Sequence, residues 1–121
     1  MLLQNMIKNG QIQGEPLEIS PGTCLFEPGK PNKGFYFLTE GTALFSQAGG
    51  TEEKIMPGKL LGLPDLMHEQ YHFKVYFEEP AKAIFIPKEE MLHALQLHTA
   101  LRFYFMQQLS RYTTQNIDAY E

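Results

Sequence analysis

The sequence predicts a single domain built mainly of β-strands and completed by helices at its C-terminal end. Three observations predict this class: short apolar stretches, turns rich in glycine and proline between them, and a change of hydrophobic period at Pro87. Turn signals at such regular intervals are typical of an all-β sandwich, barrel or roll. With 121 residues the chain has the size of one domain. Its predicted parts are an N-terminal segment at residues 1–16, a β-roll at residues 17–87, and C-terminal helices at residues 88–121.

The aromatic and β-branched residues of the central stretches suit a half-buried pleated surface. The predicted inner strands are residues 35–38, 43–45 and 54–56. Two late strands follow, joined at residues 78–80. In the first of them Phe73, Val75 and Phe77 alternate with other residues, and residues 83–86 form the second. The segment before the roll is too short for more than a helical turn and a loop.

At Pro87 the period becomes helical. Proline in a first turn loses no intrahelical hydrogen bond, and the carboxylates of Glu89 and Glu90 complement the helix dipole. A short apolar helix is predicted there, followed by a longer one that begins at His98 or at Thr99, which can cap it. The apolar face of the longer helix consists of Leu101, Phe105, Leu109 and Tyr112, widened in its first half by Phe103 and Met106.

Composition and charge exclude several classes of function. The formal net charge is −4, which gives no field to attract a polyanion, so we expect no direct nucleic-acid partner. No apolar run approaches the about 20 residues that cross a bilayer, so we expect no membrane span. The single cysteine, Cys24, and the lack of a signal-peptide pattern predict a cytoplasmic protein. In its strand Cys24 is expected to act as a small hydrophobe.

The spacing of the glycines resembles that of a known family. The patterns are Gly22-x-x-Leu25-Phe26-x-x-Gly29, Gly34-Phe-Tyr-Phe-Leu38, Glu40-Gly41 and Pro57-Gly58-x-x-x-Gly62. With the switch to helix at Pro87, they resemble the cyclic nucleotide-binding domain of regulators of the catabolite-activator and FNR type, over nearly the whole chain. The resemblance implies a jelly-roll-like double-stranded β-helix followed by a short and a long helix. It also implies a regulatory or ligand-sensing role in signalling, not an enzymatic one.

The family's ligand-holding charges are missing from the sequence. In the family, a Gly-Glu pair at a short helix and an arginine before the next strand hold the ribose and the cyclic phosphate. Here those positions read Gly62-Leu63 and Gln-Tyr-His-Phe at residues 70–73. Lys74 is the nearest cation, and strand alternation points it away from the interior. A charge-assisted hydrogen bond contributes about 1.5–3 kcal/mol, so we expect this degenerate cassette to bind cyclic AMP or GMP several orders of magnitude more weakly.

Two interpretations of this altered pocket stay open: a different, less charged small-molecule effector, or signalling through protein contacts. The ligand-binding candidates are Gly62, Leu63, Tyr71, His72, Phe73, Tyr112 and Thr113. The last two stand near the place of a purine in the family, although solvated helix residues are an equal alternative. The long helix of these regulators usually forms the dimer interface, which implies a homodimer, but its apolar stripe could also pack on the roll. Such regulators carry a winged-helix domain after this helix, and the sequence ends at Glu121 before one.

Residues 68–72 read His-Glu-Gln-Tyr-His, the letters of a zinc-protease motif. That motif needs a helix, whereas Pro64 and the strand at Phe73 leave only about one or two helical turns. We therefore predict no catalytic residue, no metal ligand and no cofactor. A metal held by Asp65, His68 and His72 is the weaker alternative to exposed loop histidines.

Two further alternatives concern the whole domain. A cupin-like enzyme or small-molecule binder also strings short strands through Pro-Gly turns, but its metal ligands are clustered histidines, and the sequence has no His-x-His pair. A purely structural dimerisation module is favoured if Leu63, Tyr71 and Phe73 fill the pocket.

Overall fold

The computed structural model describes residues 2–47, 50 and 52–115, and at residues 47 and 111–115 it describes the backbone alone. Its elements in chain order are α1 (Leu2–Lys8), β1 (Glu15–Ile19), β2 (Cys24–Phe26), β3 (Gly34–Glu40), β4 (Ala43–Gln47), β5 (Glu53–Ile55), β6 (Leu60–Leu61), β7 (Phe73–Tyr76), β8 (Ala81–Pro87), α2 (Lys88–Leu97) and α3 (Thr99–Gln115). A short 3₁₀ helix, Leu63–Asp65, follows β6. Within the described residues no helix is both long and apolar enough to cross a membrane.

The strands form two antiparallel sheets. One has the order β1-β8-β3-β6 and the other the order β2-β7-β4-β5. The predicted fold class, mainly β with C-terminal helices, is confirmed. The two late strands lie in opposite sheets, because the chain crosses from one sheet to the other between Tyr76 and Ala81. Their partners are therefore distant in sequence: β7 lies between β2 and β4, and β8 lies between β1 and β3.

The sheet that contains β3 is covered on both faces. Because side chains alternate along a strand, Phe35 and Phe37 project towards the helices, whereas Leu38 projects into the roll. The helix side also buries Met91 and Leu101. The roll interior is filled from the second sheet by residues such as Val75 and Phe77, and by Tyr71 of the β6–β7 loop.

The N-terminal segment contributes to the core. Helix α1 has 7 residues, about two turns, so the prediction of a single turn and a loop was wrong. Leu3, Met6 and Ile12 are buried in the cluster beneath the helices. These apolar residues are spaced for one face of a helix. The sequence of the segment alone does not show that the roll and the C-terminal helices provide a surface on which that face can pack.

Helices α2 and α3 begin where the change of period predicts. Pro87 is the N-cap of α2, with Glu89 and Glu90 in the first turn. Thr99 begins α3, and its hydroxyl accepts a hydrogen bond from the Arg102 guanidinium at 3.0 Å. The same guanidinium donates to the carbonyl oxygens of Leu95 and Gln96 at 2.8 and 3.1 Å. Arg102 thus satisfies carbonyl groups at the end of α2 and fixes the α2–α3 corner.

One face of α3 packs on the roll. Leu101 and Phe105 are buried, and Leu109 packs beside them. The prediction that Phe103 and Met106 widen this face was wrong, because each is 62% exposed. Phe103 lies two residues beyond Leu101, which is roughly 200° around a helix, so the face that docks on the sheet excludes it. The Tyr112 side chain falls outside the described residues.

Candidate functional site

The loop between β6 and β7 opens with a sharp change of direction at Gly62. Its φ of 96° lies in the left-handed region, which a side chain disfavours. The 3₁₀ helix follows, and its Asp65 and Leu66 amides donate to the carbonyl oxygens of Gly62 and Leu63. Pro64 has no amide hydrogen. The start of this helix therefore offers few free N–H groups to an anion. Pro64 has none, and the amides of Asp65 and Leu66 already donate within the loop.

Leu63 lies in the apolar core beneath the helices. It is buried among residues such as Phe35 and Leu101. The family resemblance assigns the ribose-binding carboxylate to this position. An apolar side chain packed into the core cannot accept a hydrogen bond from a ribose hydroxyl.

Asp65 is the charged centre of the loop. Its side chain is fully buried, and its Oδ1 lies 2.8 Å from the Nδ1 of His68 and 2.8 Å from the Nδ1 of His72. Its Oδ2 accepts a hydrogen bond from the backbone amide of His72 at 2.9 Å. The sequence analysis named His72 as a binding candidate and Asp65 only in a weaker metal alternative. Neither the burial of Asp65 nor the meeting of both imidazoles on one oxygen has a signature in the sequence.

Asn32 ties this loop to the roll. Its side-chain amide donates to the carbonyl oxygens of Asp65 at 2.8 Å and His68 at 3.1 Å. Its backbone amide donates to the carbonyl of Glu69 at 2.8 Å. The Asn32 Oδ1 atom is buried and has no hydrogen-bond partner among the described residues. The loop backbone is thus held from the segment that precedes β3.

Tyr71 closes the roll interior beside Gly62. Its ring stacks on Phe26 with centroids 4.0 Å apart, and its hydroxyl donates to the carbonyl of Gly34 at 2.7 Å. Burial, with a smaller contribution from Tyr36, raises the pKa of Tyr71 to about 12. Burial also raises the pKa of Tyr36. Both phenols are therefore neutral hydrogen-bonding groups at physiological pH.

A cleft of about 420 Å³ lies next to Tyr71. Its lining includes the cations Lys30 and Lys33, the rings of Tyr36 and Tyr71, and the thiol of Cys24. The volume falls within the range of small-molecule sites. Of these residues the sequence analysis named only Tyr71 as a ligand-binding candidate, because the cleft forms where separate turns and strands meet in space.

Cys24 is exposed, not packed as a small hydrophobe. Partial burial and the neighbouring Glu27 raise the pKa of its thiol, against an opposing effect of Lys74. A raised pKa keeps the thiol protonated and weakly nucleophilic.

Phe73 and Lys74 have contacts of their own on the other sheet. Phe73 is half-buried on the other sheet and stacks on Phe45 with centroids 5.0 Å apart. Lys74 is exposed and lies over the Tyr76 ring at 4.9 Å, so the prediction that it points away from the interior is confirmed. The structure brings Tyr71 next to Gly62 and His72 next to Asp65. The side chains of Tyr112 and Thr113 fall outside the described residues.

No arginine lies in this loop or close to it in the sequence. Both arginines of the chain, Arg102 and Arg111, belong to α3. Arg102 is engaged at the α2–α3 corner. The loop contains a buried carboxylate and two imidazoles in the region where the family resemblance assigns a carboxylate and a phosphate-binding arginine.

Comparison with known proteins places this geometry in a family. The two-sheet roll with a Gly62-initiated loop and C-terminal helices defines the class of small β-roll domains. The family model described as the cyclic nucleotide-binding domain matches residues 16–98, and the chain belongs to that family. None of the curated protein sequences matches it significantly.

Several solved structures share the fold. A transcriptional regulator from Thermotoga maritima is 19% identical with a TM-score of 0.80, over 98% of this chain and 95% of that one. The sensor domain of the transcriptional regulator DNR from Pseudomonas aeruginosa is 20% identical with a TM-score of 0.70, over 88% and 75%. The catabolite activator protein of Thermus thermophilus is 18% identical with a TM-score of 0.69, over 88% of this chain and 52% of that protein. This chain therefore spans about half the length of that activator.

The cupin alternative receives no support from these findings, since the matching family is a different one. The four histidines of the chain also lie off the strands: His68 and His72 are in the loop, His93 is on α2, and His98 ends it. The letters of the zinc-protease motif fall in non-helical chain, as predicted.

Proposed function

We propose that this chain is a non-catalytic regulatory sensor domain that does not hold cyclic AMP or cyclic GMP in its family's usual way. The observation that carries the proposal is the pairing of a core-packed Leu63 with a loop whose buried charge is the Asp65 carboxylate. A cyclic phosphate needs hydrogen-bond donors and positive charge. Family membership and the regulators that share the fold support the sensor role.

Calorimetric titration with cyclic AMP and cyclic GMP tests this proposal. We expect no saturable heat in the micromolar range, because the ribose carboxylate and the phosphate-binding guanidinium are both replaced. A Lys88→Ala variant serves as a control for residual attraction by a cation in contact with the loop, because the Lys88 ammonium donates to the His68 carbonyl at 3.0 Å. Sub-micromolar binding of either nucleotide by the wild-type protein would overturn the proposal.

The cleft beside Tyr71 is where we place a different effector. Lys30 and Lys33 supply positive charge at its rim, and the neutral phenols of Tyr36 and Tyr71 supply aromatic surface. These groups suit a small aromatic or apolar acid better than a nucleotide phosphate held by a cassette. Screening of aromatic carboxylates by ligand-observed NMR tests the assignment, with a Lys30→Ala, Lys33→Ala double variant as the control. Binding that survives this double variant would contradict it.

We also propose that α3 mediates a homodimer. The contact face is not the predicted one, which contains Leu101 and Phe105, but the face that contains Phe103 and Met106. Leu101 and Phe105 are already buried on the roll, whereas Phe103 and Met106 expose apolar surface one helical turn apart. Neighbouring apolar side chains that stay exposed mark an association surface. A second copy of the same helix matches this surface, as a two-fold axis along α3 would place the same residues opposite each other.

Sedimentation velocity tests the dimer. We expect the wild-type protein to sediment as a dimer and a Phe103→Ser, Met106→Ser double variant to sediment as a monomer. Met67→Ser is the matched control, because Met67 is 81% exposed but lies on the β6–β7 loop. A wild-type monomer, or equal weakening by Met67→Ser, would show that α3 is not the interface.

A further inference from the structure

The Asp65, His68 and His72 side chains form a cluster that the proposed sensor function does not use. One carboxylate oxygen and one nitrogen from each imidazole all lie within 4.8 Å of one another. We propose that this cluster binds one divalent transition-metal ion of the zinc class. From the sequence we predict no metal ligand and no cofactor, with a metal on Asp65, His68 and His72 as the weaker alternative, and the proposal now favours that alternative. It stands independently of whether the domain binds a nucleotide.

The three ligand atoms lie close together, with no two more than 4.8 Å apart. Both Nδ1 atoms lie 2.8 Å from the same Asp65 Oδ1. In a tetrahedral site with bonds of about 2.0–2.1 Å, ligand atoms lie roughly 3.3 Å apart. Coordination therefore requires each Nδ1–Oδ1 separation to open by a few tenths of an ångström, and any pair of ligand atoms near the 4.8 Å limit to approach to a similar distance. The imidazole side chains are 51% and 59% exposed, which leaves them free to make this adjustment.

The charge at the site favours a cation. The Asp65 side chain has no exposed surface, and its ion-pair partners among the described residues are His68 and His72. Among the described residues no lysine or arginine forms an ion pair with Asp65. A divalent ion bound between the three side chains would place positive charge directly against the buried carboxylate.

The ligands are held by a second layer of hydrogen bonds. The His72 amide donates to Asp65 Oδ2, which orients the carboxylate so that Oδ1 faces both imidazoles. The buried Asn32 side chain donates to the carbonyl oxygens of Asp65 and His68, and the Lys88 ammonium donates to the carbonyl of His68 at 3.0 Å. Such outer contacts position metal ligands and strengthen binding. The site is thus supported by Asn32, which precedes β3, and by Lys88 at the start of α2.

The ligand set defines the class of metal. Two imidazole nitrogens and one carboxylate oxygen suit zinc, cobalt or ferrous ions, whereas magnesium and calcium prefer oxygen ligands throughout. Three protein ligands leave at least one coordination position for water or an external ligand. The half-exposed imidazoles place this position towards solvent. Glu69 holds the general-base place in the protease motif, but it is exposed in non-helical chain, so the site binds a metal without the protease geometry.

Cobalt absorption and zinc calorimetry test the site on the full chain after treatment with a chelator. We expect one equivalent of Co²⁺ to bind with a visible d–d absorption band, and Zn²⁺ to displace it. His68→Ala and His72→Ala should each weaken zinc binding by more than about tenfold, since even the loss of outer contacts costs that much. Both side chains are half-exposed, so these variants should fold. His93→Ala removes an exposed histidine from α2 and is the matched control.

Each outcome decides the proposal. Stoichiometric binding that is lost in both loop variants and kept in His93→Ala supports it. No saturable binding at micromolar metal would overturn it. Binding that persists in a His68→Ala, His72→Ala double variant, or that is lost equally in His93→Ala, would place the metal elsewhere and would also overturn it.

Discussion

The carboxylate of Asp65 holds His72 at two points. Oδ1 lies 2.8 Å from the imidazole Nδ1, and Oδ2 accepts a hydrogen bond from the His72 backbone amide at 2.9 Å. This relationship fixes the end of the β6–β7 loop immediately before β7 begins at Phe73. A carboxylate thus organises the loop that, in the family's usual ligand chemistry, would present an arginine to a phosphate.

Replacing Asp65 by asparagine should destabilise the domain. The variant keeps the shape but loses the charge and one of the two acceptor oxygens, and a buried donor left without its partner costs about 1–3 kcal/mol. Chemical denaturation in the presence of a chelator measures the loss. Glu69→Gln removes an exposed carboxylate from the same loop and should change the free energy of unfolding by less than about 0.5 kcal/mol. Equal stability of Asp65→Asn and wild type would contradict the role given to Asp65.

Tyr71→Phe should cost about 0.5–1.5 kcal/mol at neutral pH, because the Gly34 carbonyl loses a buried hydrogen bond. The pH dependence follows from the raised pKa of Tyr71, about 12 in the folded state against 10.0 for an ordinary tyrosine. The neutral phenol's contribution is fully present below pH 10 and is lost as the pH rises towards 12. Wild type should therefore lose more stability than Tyr71→Phe across this window in alkaline denaturation. Parallel curves would show that Tyr71 does not titrate as described.

Two glycines should respond differently to alanine. Gly62 has a φ of 96°, but a Cβ there would come no closer than 3.5 Å to other atoms, so Gly62→Ala should cost about 1–2 kcal/mol from backbone strain alone. Gly41 has a φ of 90°, and its Cβ would lie 2.7 Å from that of Ala81 and 2.9 Å from the Pro80 carbonyl oxygen. Gly41→Ala should therefore show the larger fall in denaturation midpoint. The reverse order would refute the strand contact at Gly41.

The two faces of α3 should differ in their effect on folding. Leu101 is fully buried between α3 and the sheet, so Leu101→Ala should cost about 2–5 kcal/mol. Phe103 is mostly exposed, so Phe103→Ala should change the monomer's stability by less than about 0.5 kcal/mol. Thermal denaturation at a dilution where the protein is monomeric compares the two. A large loss for Phe103→Ala would mean that its ring packs within the chain.

Much of the fold was predictable from the sequence. The positions of the glycine-containing turns predicted where strands begin and end. The change of hydrophobic period at Pro87 predicted both C-terminal helices. Sheet membership was not predictable, because β7 and β8 are neighbours in sequence but pair with strands far away in the chain. The orientation of α3 was not predictable either. Both of its sides carry apolar residues, and only docking on the sheet decides that Leu101 is buried and Phe103 exposed.

At the site, the sequence alone shows that the charges expected from the resemblance are missing. It does not predict the cluster of Asp65, His68 and His72 that the loop contains. The sequence shows directly that no carboxylate stands at Leu63 and no guanidinium at residues 70–73, the positions to which the resemblance assigns them. The meeting of His68 and His72 on one oxygen depends on the 3₁₀ turn and on the hydrogen bonds from Asn32. Such convergence arises from tertiary contacts across more than thirty residues, which spacing alone does not encode.

The most direct test of the central claim is a pair of ¹H–¹⁵N NMR spectra recorded without and with millimolar cyclic AMP. By the family resemblance, a working cassette would hold the nucleotide beside Gly62, Leu63 and Phe73. The account predicts that their resonances, and those of the rest of the loop, stay in place. A saturating shift confined to Gly62, Leu63 and Phe73 would show that the nucleotide occupies the loop and would contradict the account.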